Sequence, residues 1–285
     1  MEAHIVAIIQ ARTSSSRLPG KVLQDIAGQP MLVRVVERVR RAKKVASVVV
    51  ATTVDPSDDG IEALCAGRGY ACFRGSLYDV LDRYYQASRR FEAGVIVRIT
   101  ADCPVIDPAV IDLTVSAYLG ELPAGGPSSL DPYDFAANRL PPPWKRTYPI
   151  GLDTEVCSFA ALERAWKEAG ETHQREHVMP YLYEKSTVVE WPSGRILEAT
   201  PPEKGGRGFR VLLVNHERDY GSLRWTVDTP ADLDLIRQVY LRFEGHDDFS
   251  WTDLLALFER EPALAQINAH IHHKTVHDVD ERTQS

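Results

Sequence analysis

Over the first hundred residues, short apolar runs alternate with stretches whose apolar residues recur every three or four positions. Residues 4–11 (HIVAIIQA) and 47–53 (SVVVATT) are continuous apolar runs of strand length, as expected of strands buried on both faces. Residues 70–73 and 94–100 (GVIVRIT) read as a third and a fourth strand. The stretches near 30–43, 57–68 and 77–92 carry apolar residues at i, i+3 and i+4 and are predicted to be helices. Ser57 and Ser76 stand at expected N-caps; three residues on, Gly60 is a poor partner and Asp79 a good one. This β-α-β-α rhythm predicts an α/β fold with a mainly parallel central sheet and helices on both faces. Ligands bind beyond the carboxyl ends of such strands, so the chemistry is expected just after residues 11, 53, 73 and 101.

The second half is less regular. Gly125–Gly126–Pro127 and Pro141–Pro142–Pro143 read as surface loops around a short segment at 133–138. A strand at 152–156, helices near 158–169 and 173–184, and strands near 187–191 and 210–215 follow, and EKGGRG (203–208) is a charged loop. A strand at 223–227 precedes a helix from Pro230 to about Phe243; two short helices, near 251–260 and 262–273, and a polar tail complete the chain. The expected division is a main domain over 1–243 and a helical extension over 244–285.

At 285 residues, 44% hydrophobic and 26% charged, the chain has the make-up of an ordinary globular protein with a sizeable core. No apolar run reaches the roughly 18 residues that cross a bilayer, and the N-terminus lacks the features of a signal peptide, so no membrane partner is expected. Cys65, Cys72, Cys103 and Cys157 contain no C-x-x-C and suit free thiols in a reducing cytoplasm. The formal net charge of −7 argues against a general nucleic-acid binder but allows a local basic pocket.

That pocket is expected in Gln10–Lys21 (QARTSSSRLPGK), which begins where the first strand ends. Arg12, Arg17 and Lys21 bring three cations within ten residues, interspersed with hydroxyl side chains and backbone N–H groups. Cations neutralise a polyphosphate while hydroxyls and N–H groups fix its oxygens. The loop is neither a Walker A loop nor a G-x-G-x-x-G turn, which disfavours NTPases of that type and Rossmann dehydrogenases. Asp102 ends the fourth strand, facing this loop, and is a candidate Mg²⁺ ligand; a turn aspartate binding local N–H groups is the alternative. Asp107–Pro108 is explained as a helix N-cap with Pro at N1. In VDTPAD (227–232), Thr229, Pro230 and Asp232 supply cap, first turn and N3 partner, leaving Asp228 to face the site unless it caps the helix itself.

The motifs IIQARTSSSRLPGKVLQDIAGQPMLVR (8–34), VVVATTVDPSDD (48–59), FRGSLYDVLDRYYQA (73–87), VRITADCPVIDP (97–108), GLDTEVCSF (151–159), REHVMPY (175–181) and LRWTVDTPADL (223–233) together resemble the cytidylyltransferases that make CMP-sugars from acylneuraminate and KDO. The likeness is strongest to the branch of spore-coat polysaccharide biosynthesis protein F and runs over nearly the whole chain in order. It implies a GT-A-like nucleotide-diphospho-sugar transferase fold. By resemblance, Arg12, Ser15, Arg17 and Lys21 hold the triphosphate, the Ala11 region lies against the base, and Asp102 and Asp228 share Mg²⁺. Relatives usually carry Gly where this chain has Ser14, and often Met where it has Thr13.

Arg74 and Arg98 close strands on the ligand edge and are candidate nucleotide contacts, with Asp79 and Asp82 as alternative partners. Asp153 and Glu155 alternate on the predicted strand and either bind sugar hydroxyls or form its wet face. Glu176 and His177, at an expected helix start, are candidates for substrate contact; His177 has packing or a dimer contact as alternatives. His270, His273 and His277 have helical spacing but no acid or Cys partner, so no transition-metal site is expected there. The expected activity is Mg²⁺-dependent transfer of a nucleotidyl group from CTP to a sugar, sugar acid or related small acid, with release of pyrophosphate, in surface polysaccharide or glycoconjugate biosynthesis. The catalytic set is Arg12, Lys21, Asp102 and Asp228. A GT-A glycosyltransferase and an inert nucleotide-binding subunit are the alternatives. A homodimer paired through 133–200 is expected from the resemblance and from the frequency of two-fold dimers.

Overall fold

The computed structural model describes residues 4–121, 133–200 and 205–271. Gly125–Gly126–Pro127, His272, His273 and His277, and the start of the EKGGRG loop, lie outside the described residues. Nine strands form one sheet: β1 (Ile5–Gln10), β4 (Ser47–Thr53), β5 (Ala71–Gly75), β6 (Val95–Thr100), β7 (Phe135–Ala137), β8 (Glu155–Ser158), β9 (Thr187–Trp191), β10 (Ile196–Glu198) and β11 (Arg210–Val214). Their order is β10-β9-β11-β7-β8-β6-β1-β4-β5. β2 (Asp25–Ile26) and β3 (Gln29–Pro30) make a separate small hairpin. In the main sheet β8 is antiparallel to both neighbours and β10 to β9; the other pairs are parallel.

Strand alternation gives each face of the sheet a large core, and Ala117, Tyr133, Ala136, Leu212 and Val214 form a third, small cluster. From β1, Ile5, Ala7 and Ile9 enter one core, with apolar residues of α1 (Met31–Val39), α2 (Asp59–Arg68), α4 (Pro108–Tyr118), α8 (Pro230–Arg242) and α9 (Trp251–Arg260). Val6 and Ile8 enter the other, with α3 (Val80–Arg90), α5 (Phe159–Glu168) and α7 (Pro180–Tyr183). A strand covered on both sides has no wet face, hence the continuous apolar run.

The structure corrects several expected boundaries. Asp55, followed by Pro56, accepts from Ser57 N and starts a 3-10 turn (Pro56–Asp58), so Ser57 is not the cap of α2. Asp79 is itself the cap of α3, accepting from Asp82 N at 2.9 Å, while Ser76 Oγ accepts from Asp79 N. The helix expected over 173–184 is two: α6 (Thr172–His177) stops at Val178 with φ 71°, and Pro180 starts α7. Glu176 and His177 therefore end a helix rather than begin one. The strand expected at 152–156 is β8, two to three residues later. Among the described residues 223–227 form only one bridge, Ile150 to Arg224, made by Ile150 N on Leu223 O and Trp225 N on Ile150 O; beyond it Val227 N turns to Asp102 O. The last predicted helix is a 3-10 turn at Pro262–Gln266.

Candidate active site

β1 is the strand from which the sheet extends both ways, with β6 on one side and β4 on the other. Gln10 and Thr100 are register partners, so the loop after β1 and the turn containing Asp102 leave the sheet side by side. A crevice at such a reversal, beyond the strand ends, is where α/β sheets take ligands.

The loop is folded by its own backbone and by one acid. Thr13 O accepts from Ser15 N and from Gly20 N, both at 2.8 Å, and Gly20 takes φ 68° to turn the chain into Lys21. Thr13 N and Thr13 Oγ1 each donate to Asp58 Oδ1 at 2.7 Å, and Thr53 Oγ1 donates to Asp58 Oδ2. Asp58 is buried and ties the loop to the end of β4. This gives Thr13 a reason that Met in its place lacks. Ser14 is not among the non-glycine residues at positive φ, so its backbone does not require Gly.

At the loop's end Lys21 is buried, and its ammonium donates to Asp102 Oδ2 at 2.9 Å, Asp228 Oδ1 at 2.9 Å and Val227 O at 2.7 Å. All three of its hydrogens are used. Burial opposes this charge, but Asp102 and Asp228 outweigh it and hold the ammonium pKa above its ordinary value. Asp102 Oδ1 accepts from Thr100 Oγ1 at 2.5 Å. Asp228 Oδ2 faces Arg17 at 3.0 Å and Arg224 at 2.8 Å. Burial opposes the Asp228 carboxylate; Lys21, Arg17 and Arg224 overcome this and hold its pKa well below the usual range.

Asp228 is brought here by the segment before it. Val227 N and Thr226 Oγ1 both donate to Asp102 O, at 2.8 and 3.0 Å, stitching 226–228 to the end of β6. Gly151, at φ 110°, lets this segment pass: a Cβ there would lie 2.7 Å from Trp225 C and Thr226 N. Thr229 and Asp232 form the expected capping box, so Asp228 is outside the helix. Asp232 is also fully buried and accepts from Arg224 Nε at 2.8 Å and Asn268 Nδ2 at 2.8 Å.

The other candidates are placed as follows. Ala11 is buried in the core, its N–H on Ala51 O, and Arg12 is half-buried beside it. Arg98, in the sheet, pairs with Glu155 and donates to Gln10 Oε1 at 3.2 Å. Arg74 pairs with Asp59 and Glu62 and donates to Thr53 O and Asp55 O. Neither uses Asp79 or Asp82: Asp79 holds Arg175, and Asp82 accepts from Trp166 Nε1 at 2.8 Å. Asp153 precedes β8 rather than alternating along it and is ion-paired with Arg146. Glu155 is buried against Arg98, not on a wet face. Sequence reasoning missed Asp58, Arg224 and Asn268. Arg224 lay inside an expected strand; its spacing of four from Asp228 and eight from Asp232 was the available signal.

Two carboxylates that meet one ammonium at 2.9 Å each are a hard, anionic oxygen pair at a single point. Mg²⁺ takes one or two protein carboxylates and fills its octahedron with phosphate oxygens and water, so Asp102 and Asp228 fit it. Among the described residues no group of three or more His, Cys, Asp or Glu forms a self-sufficient metal cage. No described helix is long and apolar enough to cross a membrane.

Residues 6–244 match the family model described as cytidylyltransferase. The chain is 34% identical to an uncharacterised protein of Methanocaldococcus jannaschii, covering 97% of this chain and 99% of that one. It is 30% identical to the spore coat polysaccharide biosynthesis protein SpsF of Bacillus subtilis (92% and 96% covered). It is 42% identical to a 3-deoxy-manno-octulosonate cytidylyltransferase of Geobacter sulfurreducens (82% and 98% covered). Among solved structures, a cytidylyltransferase from Leptospira borgpetersenii superposes with a TM-score of 0.77 at 29% identity, covering 95% of this chain and all of that one. A CMP:2-keto-3-deoxy-manno-octonic acid synthetase solved with CTP shares the fold, with a TM-score of 0.55 at 19% identity over 84% of this chain and 99% of that one.

Proposed function

The chain belongs to the cytidylyltransferase family and is a nucleotidyltransferase, and from that premise we propose that it uses CTP and Mg²⁺ to activate a sugar or sugar acid for surface polysaccharide or glycoconjugate synthesis. The observation that carries this reading is the meeting of Asp102, Asp228 and Lys21 at the foot of a cationic loop beyond β1. An acceptor oxygen attacks the α-phosphorus of CTP, the bond to the bridging oxygen breaks, and pyrophosphate leaves. Arg12, Ser15 and Arg17 bind the triphosphate, Lys21 joins them by turning one hydrogen from its carboxylate partners to a phosphate oxygen, and the three cations oppose the negative charge that builds on the leaving group. Asp102 and Asp228 would hold Mg²⁺, which when bound supplies Lewis-acid polarisation of the phosphoryl oxygens. Ala11, Arg74 and Arg98 are assigned to the nucleotide side. Asp153, Glu155, Glu176 and His177 are assigned to the acceptor side, where Arg146 and Arg98 fix the Asp153 and Glu155 carboxylates. The relatives named for KDO activation and spore coat polysaccharide support this acceptor class.

Asn keeps the shape of Asp but removes the anionic charge that a hard cation needs. Asp102→Asn and Asp228→Asn are each expected to collapse pyrophosphate release from CTP and a sugar-acid pool. The double variant should be little worse, because both act on one centre. Turnover is followed across a Mg²⁺ titration, with thermal melts as the folding control. A single variant that folds and turns over like the wild type with unchanged Mg²⁺ dependence sinks the shared-metal assignment.

A further inference from the structure

A buried cation near the loop takes no part in the chemistry described so far. Arg83 lies on α3 and is fully covered by protein. Its Nη1 donates to Ser76 O at 2.8 Å, but its Nε and Nη2, both buried, have no hydrogen-bond partner among the described residues. Arg12, Arg98, Asp58 and the Tyr84 hydroxyl are the polar groups whose charge it feels most strongly. Two of these are cations. Asp58 gives its oxygens to Thr13 and Thr53. Tyr84 Oη is within reach of Ile8 O and Ile99 O, at 3.2 and 3.3 Å. Arg98 already has Glu155. None of these groups is a carboxylate paired with Arg83.

A guanidinium removed from water without an anion or a full set of acceptors is costly to hold. Burial pushes the Arg83 pKa down to about 10, with Arg12 and Arg98 acting in the same direction. A purely structural role would be served better by an apolar side chain. The chain nevertheless accommodates the stem: a Cβ on Gly75, at the end of β5, would lie 3.0 Å from Arg83 Cγ. Ser76, which holds Arg83 Nη1, follows directly on Gly75, the register partner of Thr53 at the end of β4, so Arg83 stands at the carboxyl-end edge of the sheet.

We propose that Arg83 is the buried receptor for an anionic oxygen group of the substrates, entering at this edge of the sheet. This rests on the nucleotidyltransferase reading above and adds a binding residue to it. The reaction offers two sources of the same chemistry: the outer phosphates of CTP, which leave as pyrophosphate, and the carboxylate of a sugar-acid acceptor.

The test compares the full-length wild type with Arg83→Met, which keeps stem length without charge, and Arg83→Lys, which keeps charge without the fork. Calorimetry with pyrophosphate alone, CTP alone and 3-deoxy-manno-octulosonate alone reads the ligand; melts without ligand read the fold. Arg83→Met is expected to melt no lower than the wild type, because it removes an uncompensated buried charge. Its affinity should fall about ten- to hundredfold for one source, the scale of lost charge-assisted contacts. Loss for pyrophosphate and CTP identifies the phosphates; loss for the sugar acid alone identifies the carboxylate. If Arg83→Met does not fold, Arg83→Lys decides by the same affinities. Wild-type affinity for all three ligands in the folded variants overturns the role of Arg83 while leaving the nucleotidyltransferase reading intact. A wild type that binds none of them removes both.

Discussion

Asp228 meets three cations with two oxygens, and Asp232 stands fully buried four residues behind it on Arg224. Burial opposes both carboxylates, yet their partners hold both pKa values below the ordinary one. Their stabilising effect is complete above the unfolded-state value of about 3.9 and is lost as pH falls through the lower native values. Asp232→Asn is therefore expected to cost about 3–5 kcal/mol at neutral pH, the scale of a broken buried ion pair. That gap should close progressively below about pH 4, where the unfolded wild type takes up its proton. Urea denaturation of both proteins from neutral to strongly acid pH checks this; a gap that stays constant rejects it. Lys21 illustrates what was legible here. Its cationic chemistry was visible in the loop, but its burial was not, because its carboxylate partners lie 81 and 207 positions away. Asp102 and Asp228 were visible because neither is used up by the local structure that surrounds it.

The helices and main-sheet strands of the first half were legible because each carries its own period, the two-residue strands β2 and β3 were too short to show one, and α8 was legible from Thr229, Pro230 and Asp232. The segment 223–227 misled because Leu223, Trp225 and Val227 alternate like a strand, yet its pairing stops after the single bridge with Ile150 and Val227 N turns to Asp102 O. We propose Phe243 as the end of the nucleotidyltransferase domain and residues 244–285 as an extension, of which the described part, 244–271, is folded onto it. Arg38, buried on α1, binds that extension, donating to Asp247 O and to Phe249 O at 3.0 Å, and also to Ile106 O at 2.6 Å. Arg34 adds Gly245 O at 2.9 Å. Phe249, Leu254, Leu257, Phe258 and Leu264 share a core with α8 and β1. At about 1.5–3 kcal/mol each, their burial approaches the net stability of a domain, about 5–15 kcal/mol. A chain ended at Phe243 is expected to be unfolded or aggregated at room temperature, as read by circular dichroism. A cooperative melt within a few degrees of the full chain would show that the extension is dispensable.

Two cores on opposite faces of one sheet follow directly from the doubly apolar strands. The position of antiparallel β8 between β6 and β7 does not, since its partners on β6 lie more than fifty residues back along the chain. We further propose that two copies pair through 133–200, where the sheet ends in the short edge strand β10 with Ile196 62% exposed. Light scattering at micromolar concentration should report twice the mass of one chain; a single-chain mass rejects the pairing. The joining of Lys21 to Asp228 also bears on how the protein is made. A chain growing from its N-terminus contains the loop and Asp102 when less than half of it exists, but Asp228 only when four-fifths is synthesised. Until then the two early partners lack their third, and no nascent or truncated product short of residue 228 can contain the assembled charge cluster.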